Sequence, residues 1–261
     1  RMLELMLSAW AATDASPRCC DPFLLPPYRT LPSSSATGEN TYDIPAPNRT
    51  VMDAAQYRLD NLAKPIHSLG FLEHIAVQLA GITGKIRLPS NSRAALCLLS
   101  GGEELPTERH AIISSMTAAR DIDVYLLPAA IENEELHDAV HTVAADHPLL
   151  ILGSIGSDAA AIRTALCAAA EGGALVLPGD AATDHIVREY CVISPALTHY
   201  VLHLLPEMIT AEIDAPAGIV GILGLEIVRA ALHIMNDMKT FTEAKVAVAI
   251  DGAGAGRQVR E

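Results

Sequence analysis

The sequence predicts an α/β fold on a mainly parallel sheet, and three observations predict it. From residue 93 onward, short aliphatic runs alternate with longer amphipathic ones, the order that a layered parallel sheet with right-handed crossovers requires. The aliphatic runs are close to continuous, as expected of strands buried on both faces. Half of the 261 residues are hydrophobic while only 4% are aromatic, so a sizeable core is available and it is built from aliphatic side chains at close helix–sheet contacts.

Taken in order, residues 1–50 carry Pro clusters, Ser33-Ser34-Ser35 and Gly38 without a sustained period. They read as an irregular arm with one short helix at 2–11. Residues 51–64 read as a helix that stops before Pro65, because proline disfavours helix in the residue preceding it. Ser68 is the expected N-cap of a second helix, whose apolar positions Leu72, Ile75, Ala76, Leu79 and Ala80 recur at helical spacing and which ends at Gly84. Strands are expected at 94–99, 122–127, 149–152 and 174–177, and helices at 106–119, 133–145, 157–171 and 181–190. Residues 195–206 and 217–238 read as helical again. A last strand is expected at 246–250, and the Gly252-Ala253-Gly254-Ala255-Gly256 run after it is expected to fray.

Composition excludes several functions. A formal charge of −13 argues against nucleic acid and against an anionic membrane surface, since both need clustered Lys and Arg. No apolar run is expected to reach the eighteen or so residues of a spanning helix, and 2–10 is too short for a secretory signal. The five cysteines are odd in number and show no Cys-x-x-Cys. Cys97 and Cys167 fall in apolar segments where a reduced, buried thiol is usual, and Cys19-Cys20 reads as a surface pair. The expected location is cytoplasmic, so the Asn48-Arg49-Thr50 sequon carries little weight.

In an open parallel sheet, ligands bind beyond the carboxyl ends of the strands, and three loops lie there. The first is Ser100-Gly101-Gly102-Glu103-Glu104. The second is Gly153-Ser154-Ile155-Gly156-Ser157, which is either a phosphate site at a helix N-terminus or a tight strand-to-helix turn capped by Ser157. The third ends at Asp180, which either bonds ribose hydroxyls or caps the helix that follows. Neither G-x-G-x-x-G nor a Walker loop is present. His137 and His141 stand one helical turn apart, a spacing that can ligate zinc. However, Asp138 stands where zincins carry Glu and no clear third ligand follows, even with His147 nearby, so exposed helix histidines are expected, with no metal and no cofactor. Glu132, Glu134 and Glu135 read as a solvated helix start.

Residues 62–82, Leu-Ala-Lys-Pro-Ile-His-Ser-Leu-Gly-Phe-Leu-Glu-His-Ile-Ala-Val-Gln-Leu-Ala-Gly-Ile, resemble the N-terminal signature of the nicotinate-nucleotide:dimethylbenzimidazole phosphoribosyltransferases. That signature reads Leu-x-Lys-Pro-x-Gly-Ser-Leu-Gly-x-Leu-Glu-x-x-Ala-x-x-Leu-Ala-x-Ile. A second stretch, 225–241, is similar to the family's last long helix and its Met-x-x-Phe ending. The resemblance implies a doubly wound sheet domain (89–210) and a small helical domain formed from both chain ends (51–88 plus 211–245), with 246–261 as a tail. It implies displacement of nicotinate from a ribose anomeric carbon by a benzimidazole nitrogen, in the activation of the cobalamin lower ligand. It also implies a nucleotide and an aromatic base as ligands, and a homodimer or a heterodimer with a full-length homologue. On this reading Ser100, Gly101 and Gly102 hold the base, while Gly153, Ser154, Gly156, Ser157 and Asp180 hold phosphate and ribose.

The resemblance also marks departures. The family's Asp-His-Gly loop, the Ser-Pro loop after it and the Gly-x-Gly-Asn-Thr-Thr segment are missing, and the chain is shorter than typical members. Ala217 falls where the family has the glutamate that removes the azole proton. Glu212 and Asp214 lie just upstream as replacement bases if the loop is re-routed. Turnover is therefore expected to be weak, with a catalytically degenerate paralogue as the alternative.

Overall fold

The computed structural model describes residues 42–102, 106–128, 133–204 and 217–245. The helix expected at 2–11 and the strand expected at 246–250 lie outside these residues. Four strands, β1 (Ala94–Ser100), β2 (Ile122–Pro128), β3 (Leu149–Ile155) and β4 (Leu175–Pro178), form one sheet in the order β2-β1-β3-β4, every pair parallel. β1 pairs with both β2 and β3, so successive connections leave it in opposite directions and the strand order reverses between β1 and β3.

Alternate residues of each strand feed two cores, because side chains in a strand point to opposite faces. On one face Leu96, Leu98, Val124, Leu149 and Ile151 pack with α1 (Arg49–Asp60), α2 (Phe71–Thr83), α3 (Thr107–Ala118) and α7 (Ile219–Asp237). On the other, Ala95, Cys97, Leu99, Leu150 and Leu152 pack with α4 (Asn133–Asp146), α5 (Ala159–Glu171) and α6 (Ala181–Ile193). The α3 crossover lies on the first face and α4 and α5 on the second, and a change of face must accompany a reversal of direction if crossovers keep one hand. The sheet is thus doubly wound and its strands are buried on both sides. Alanine is what allows α5 so close to it: Ala161, Ala165, Ala168, Ala169 and Ala170 are all buried.

Residues 61–63, after α1, meet residues 239–241, after α7. Leu62 and Thr240 form an antiparallel bridge, the Ala63 amide donates to Lys239 O at 2.9 Å and the Phe241 amide to Asn61 O at 3.0 Å. The Arg58 guanidinium donates to Met235 O and Met238 O at the end of α7, where the last carbonyls of a helix attract a cation. A short α8 (Phe241–Ala244) follows behind a Thr240–Glu243 capping box.

Several elements differ from the sequence expectation. Residues 195–206 are not one helix: Pro195–His199 is a single 3-10 turn, after which Val201 pairs in parallel with Val176. The Val176 and Leu202 amides satisfy Tyr200 O and Val176 O, so β4 takes a short second neighbour opposite β3 in place of a helix. The cap of α2 is Gly70, at φ 53, and not Ser68. Glu73 supplies the missing acceptor, its Oε1 taking the Leu69 amide at 3.1 Å. α7 is, against expectation, long and apolar enough by length and composition to cross a membrane. Its Val220, Ile222, Leu225, Val228, Leu232 and Met235 are buried between α2 and the sheet, the position of a core helix.

Candidate functional site

The loops that follow β1, β3 and β4 converge at one edge of the sheet with the start of α7. β1 and β3 flank the strand-order reversal, the place where an open α/β sheet offers a crevice. Here the crevice is closed by direct contact. Gly101 lies so near Gly156 that an added Cβ would stand 1.9 Å from the Gly156 carbonyl oxygen. The Gly101 amide donates to Ile155 O at 2.8 Å and the Ser157 hydroxyl donates to Leu99 O at 2.6 Å. The Gly102 amide turns back to Ser100 Oγ at 3.4 Å. All three residues expected to hold a base thus lie at this crest, with Gly101 pressed onto the β3 loop.

The β3 loop is internally bonded too. The Ser157 amide donates to Ser154 Oγ at 3.2 Å, and the Ser154 amide to Asp180 Oδ2 at 2.8 Å. The N-cap of α5 is Asp158 rather than Ser157, its Oδ1 accepting from the Ala161 amide at 2.8 Å. While the Ser157 hydroxyl is committed to Leu99 O, the carboxylate at this position accepts from a first-turn amide and also complements the helix dipole. It therefore stands where an anion would otherwise be drawn, and two of the loop amides are already committed. The signal that sequence reading missed was the acidic residue immediately before an alanine run.

Asp180 caps α6: its Oδ1 accepts from the Thr183 amide and the Thr183 hydroxyl, at 2.9 and 2.8 Å. With Oδ2 on Ser154, both oxygens of this buried carboxylate are engaged within the chain. Of the two roles the sequence left open, the cap is the one in place.

The start of α7 completes the crest. Ala217 is 1% exposed and at φ 60, and Gly218 follows at φ 84. Gly218 approaches both strand ends, since a Cβ on Gly153 would stand 2.9 Å from its nitrogen and one on Gly179 2.5 Å from its Cα. The position aligned with a catalytic base is therefore a buried alanine in left-handed backbone. Glu212 and Asp214, the expected replacement bases, lie outside the described residues.

Of the two α4 histidines, His141 is exposed as expected and His137 is not. His137 is mostly buried and pairs through Nε2 with Glu171 Oε2 at 2.7 Å, stacking on Tyr42 and on the exposed His141. His147 is buried, bonded to Val143 O and to Asp123 Oδ2 at 2.9 Å. Cys97, Cys167 and Cys191 are buried free thiols, and burial pushes the Cys97 thiol up to about 12 and Cys167 up to about 11. No thiolate nucleophile is available among them.

The signature at 62–82 wraps a buried ion pair that sequence reading passed over. Lys64 Nζ lies 2.8 Å from Glu73 Oε1, each side chain 5% exposed. Burial pushes the Glu73 carboxyl up, but the hydrogen bonds from Lys64 and the Leu69 amide, with the lysine charge, outweigh it and hold the group below its usual range.

Comparison with known proteins agrees with this signature. Residues 44–121 match the family described as Phosphoribosyltransferase. The resemblance is to that family. Within it, nicotinate-nucleotide–dimethylbenzimidazole phosphoribosyltransferases align over short stretches. That of Clostridium tetani is 48% identical over 50 residues, 19% of this chain and 14% of its own length. That of Salmonella arizonae is 38% identical over 77 residues, 30% of this chain and 22% of its own. That of Ruminiclostridium cellulolyticum is 62% identical over 39 residues, 15% of this chain and 11% of its own. The chain thus matches less than a quarter of the length of these phosphoribosyltransferases. In fold, CobT from Thermus thermophilus superposes with a TM-score of 0.56 at 17% identity, covering 76% of this chain and 99% of that one.

Proposed function

We propose that this protein is a phosphoribosyltransferase of cobamide lower-ligand activation, moving phosphoribosyl from nicotinate mononucleotide to a benzimidazole-type base. The observation that supports it is the family match over 44–121, carried on a doubly wound sheet. The base rests against Ser100, Gly101 and Gly102. Phosphate and ribose rest against Gly153, Ser154, Gly156, Ser157 and Asp180, and the nucleotide must compete with Asp158 at the α5 start and with Ser154 for Asp180 Oδ2. An azole nitrogen attacks the anomeric carbon, the bond to nicotinate breaks, and nicotinate leaves with the bonding pair. The azole proton passes to a carboxylate from Glu212 or Asp214. The protein acts as a homodimer or beside a full-length homologue.

The experiment is incubation of the purified protein with nicotinate mononucleotide and dimethylbenzimidazole, with chromatographic detection of the ribotide product. Slow but measurable turnover is expected, and Glu212→Gln or Asp214→Asn should lower it by about 10²–10⁴-fold, the usual contribution of a positioned base. Absence of product overturns the enzymatic reading.

One observation favours a second reading, a catalytically degenerate paralogue that serves as a structural or regulatory subunit or binds ligand without turnover. Ala217 offers no proton acceptor, and it is buried in left-handed backbone. That reading expects nicotinate mononucleotide to raise the melting temperature with no product formed.

A further inference from the structure

We propose that Asp60, His67 and Glu73 form a binding site for a zinc-class divalent cation, separate from the crest of the sheet. The three come from the end of α1, the turn after it and the first turn of α2. One ligand atom from each lies within 4.8 Å of the other two. Tetrahedral zinc with bonds of about 2.0–2.2 Å sets neighbouring ligand atoms roughly 3.3–3.5 Å apart. His67 Nδ1 and Glu73 Oε2 stand 3.7 Å apart, and the His67 side chain is 74% exposed, so it closes the remaining distance without disturbing the core.

Glu73 supplies an independent observation. Its side chain is 5% exposed and its Oε1 is fully occupied by Lys64 and the Leu69 amide. Its Oε2 is buried and has no hydrogen-bond partner among the described residues. Buried polar atoms are almost always satisfied, and an unmatched carboxylate oxygen is a place for a water or a cation. The oxygen faces the imidazole of His67, a residue held at φ 57 where the backbone favours glycine. A side chain is thus kept at a turn position where it is conformationally costly, and it is one of the three that ligate.

The donor set decides the class of ion. Two carboxylate oxygens and one imidazole nitrogen suit zinc and its neighbours, whereas magnesium and calcium take oxygen alone. The fourth tetrahedral position falls to water. Asp60 already accepts from Gln56 Nε2 on Oδ1 at 2.8 Å, which orients it. Lys64 on the far oxygen of Glu73 leaves Asp60, Glu73 and Lys64 with one net negative charge and keeps the affinity moderate. The bound ion ties α1 to α2 across the turn at 61–70.

The test is titration of the full chain, freed of metal by a chelator, with cobalt(II) followed by zinc(II), reading the cobalt visible absorption and the melting temperature. Expected are tetrahedral-type cobalt bands saturating at one ion per chain, their loss on adding zinc, and a rise in melting temperature with either ion. His67→Gly suits the left-handed turn and should fold at least as well, yet lose both the bands and the rise. Asp60→Asn should weaken binding by more than the ~10–100-fold that changes behind a ligand cost. Cobalt bands that persist undiminished in His67→Gly, or parent protein that shows neither bands nor a melting shift, overturn the proposal.

Discussion

The Ser154 amide donates to Asp180 Oδ2 at 2.8 Å, joining the last residues of β3 to the N-cap of α6. One buried carboxylate thereby starts α6 and ties it to the end of β3, beside the two loops that a nucleotide would have to enter. The same carboxylate cannot serve ribose without releasing one of these partners.

Asp180 is accordingly a stability residue in the unliganded protein. Asp180→Asn keeps an acceptor for Thr183 but offers no acceptor to the Ser154 amide, and should cost about 1 kcal/mol. Asp180→Ala removes the cap as well and should cost about 2–3 kcal/mol. Urea denaturation of the two variants checks the order, and equal losses would show that the Ser154 bond alone matters.

The Lys64–Glu73 pair should be far costlier to break than to replace. Lys64→Met or Glu73→Leu alone leaves a buried partner unmatched and is expected to lose about 3–5 kcal/mol. The double variant Lys64→Met with Glu73→Leu should lose less than either single change, because no charge is then stranded. A double-mutant cycle by chemical denaturation, run in the presence of chelator, gives the coupling directly.

Restoring the family's glutamate should fail. Ala217→Glu buries a carboxylate in left-handed backbone at a site 1% exposed. It should lose about 2 kcal/mol or more, with no gain in ribotide formation. Ala217→Gly relieves the same backbone and should gain up to about 1 kcal/mol. Thermal denaturation beside a turnover assay separates these outcomes, and a more active, equally stable Ala217→Glu protein would contradict the burial argument.

Acid should weaken α6 through Asp184. Burial pushes its carboxyl up, but hydrogen bonds from His203 Nδ1 at 2.9 Å and Arg188 Nε at 2.6 Å, with both charges, outweigh that and hold it below the usual range. A depressed folded-state value means that the stabilisation is present in full above the unfolded value of about 3.9 and is lost as pH falls through the folded one. Denaturation midpoints between neutral pH and about pH 2 should therefore fall more steeply in the parent than in Asp184→Asn, whose acid slope is shallower.

Much of the fold was legible in the sequence because it is written locally. Aliphatic runs of four to six residues gave β1, β2 and β4 to within a residue but only the first four of the seven residues of β3, and the 3.6-residue period gave α2 and α7. The signature at 62–82 indicated the family resemblance without any structure. What failed were the choices among competing polar partners, some of them close in the chain and some far apart. Ser68 and Ser157 look like N-caps by residue type, yet Glu73 and Asp158 supply the acceptors and the caps fall at Gly70 and Asp158. Residues 200–202 look helical, yet Val176 offers them a strand edge. Asp180 was equally readable as a ligand or as a cap until Ser154, 26 residues upstream, took its second oxygen. His67 was one unmatched position in a signature until the turn carried it to the buried Oε2 of Glu73. Periodicity and propensity act between neighbours in sequence and determine where elements form. Hydrogen-bond saturation and burial act between neighbours in space, and only the packed chain decides which polar atoms are satisfied and which remain for a ligand.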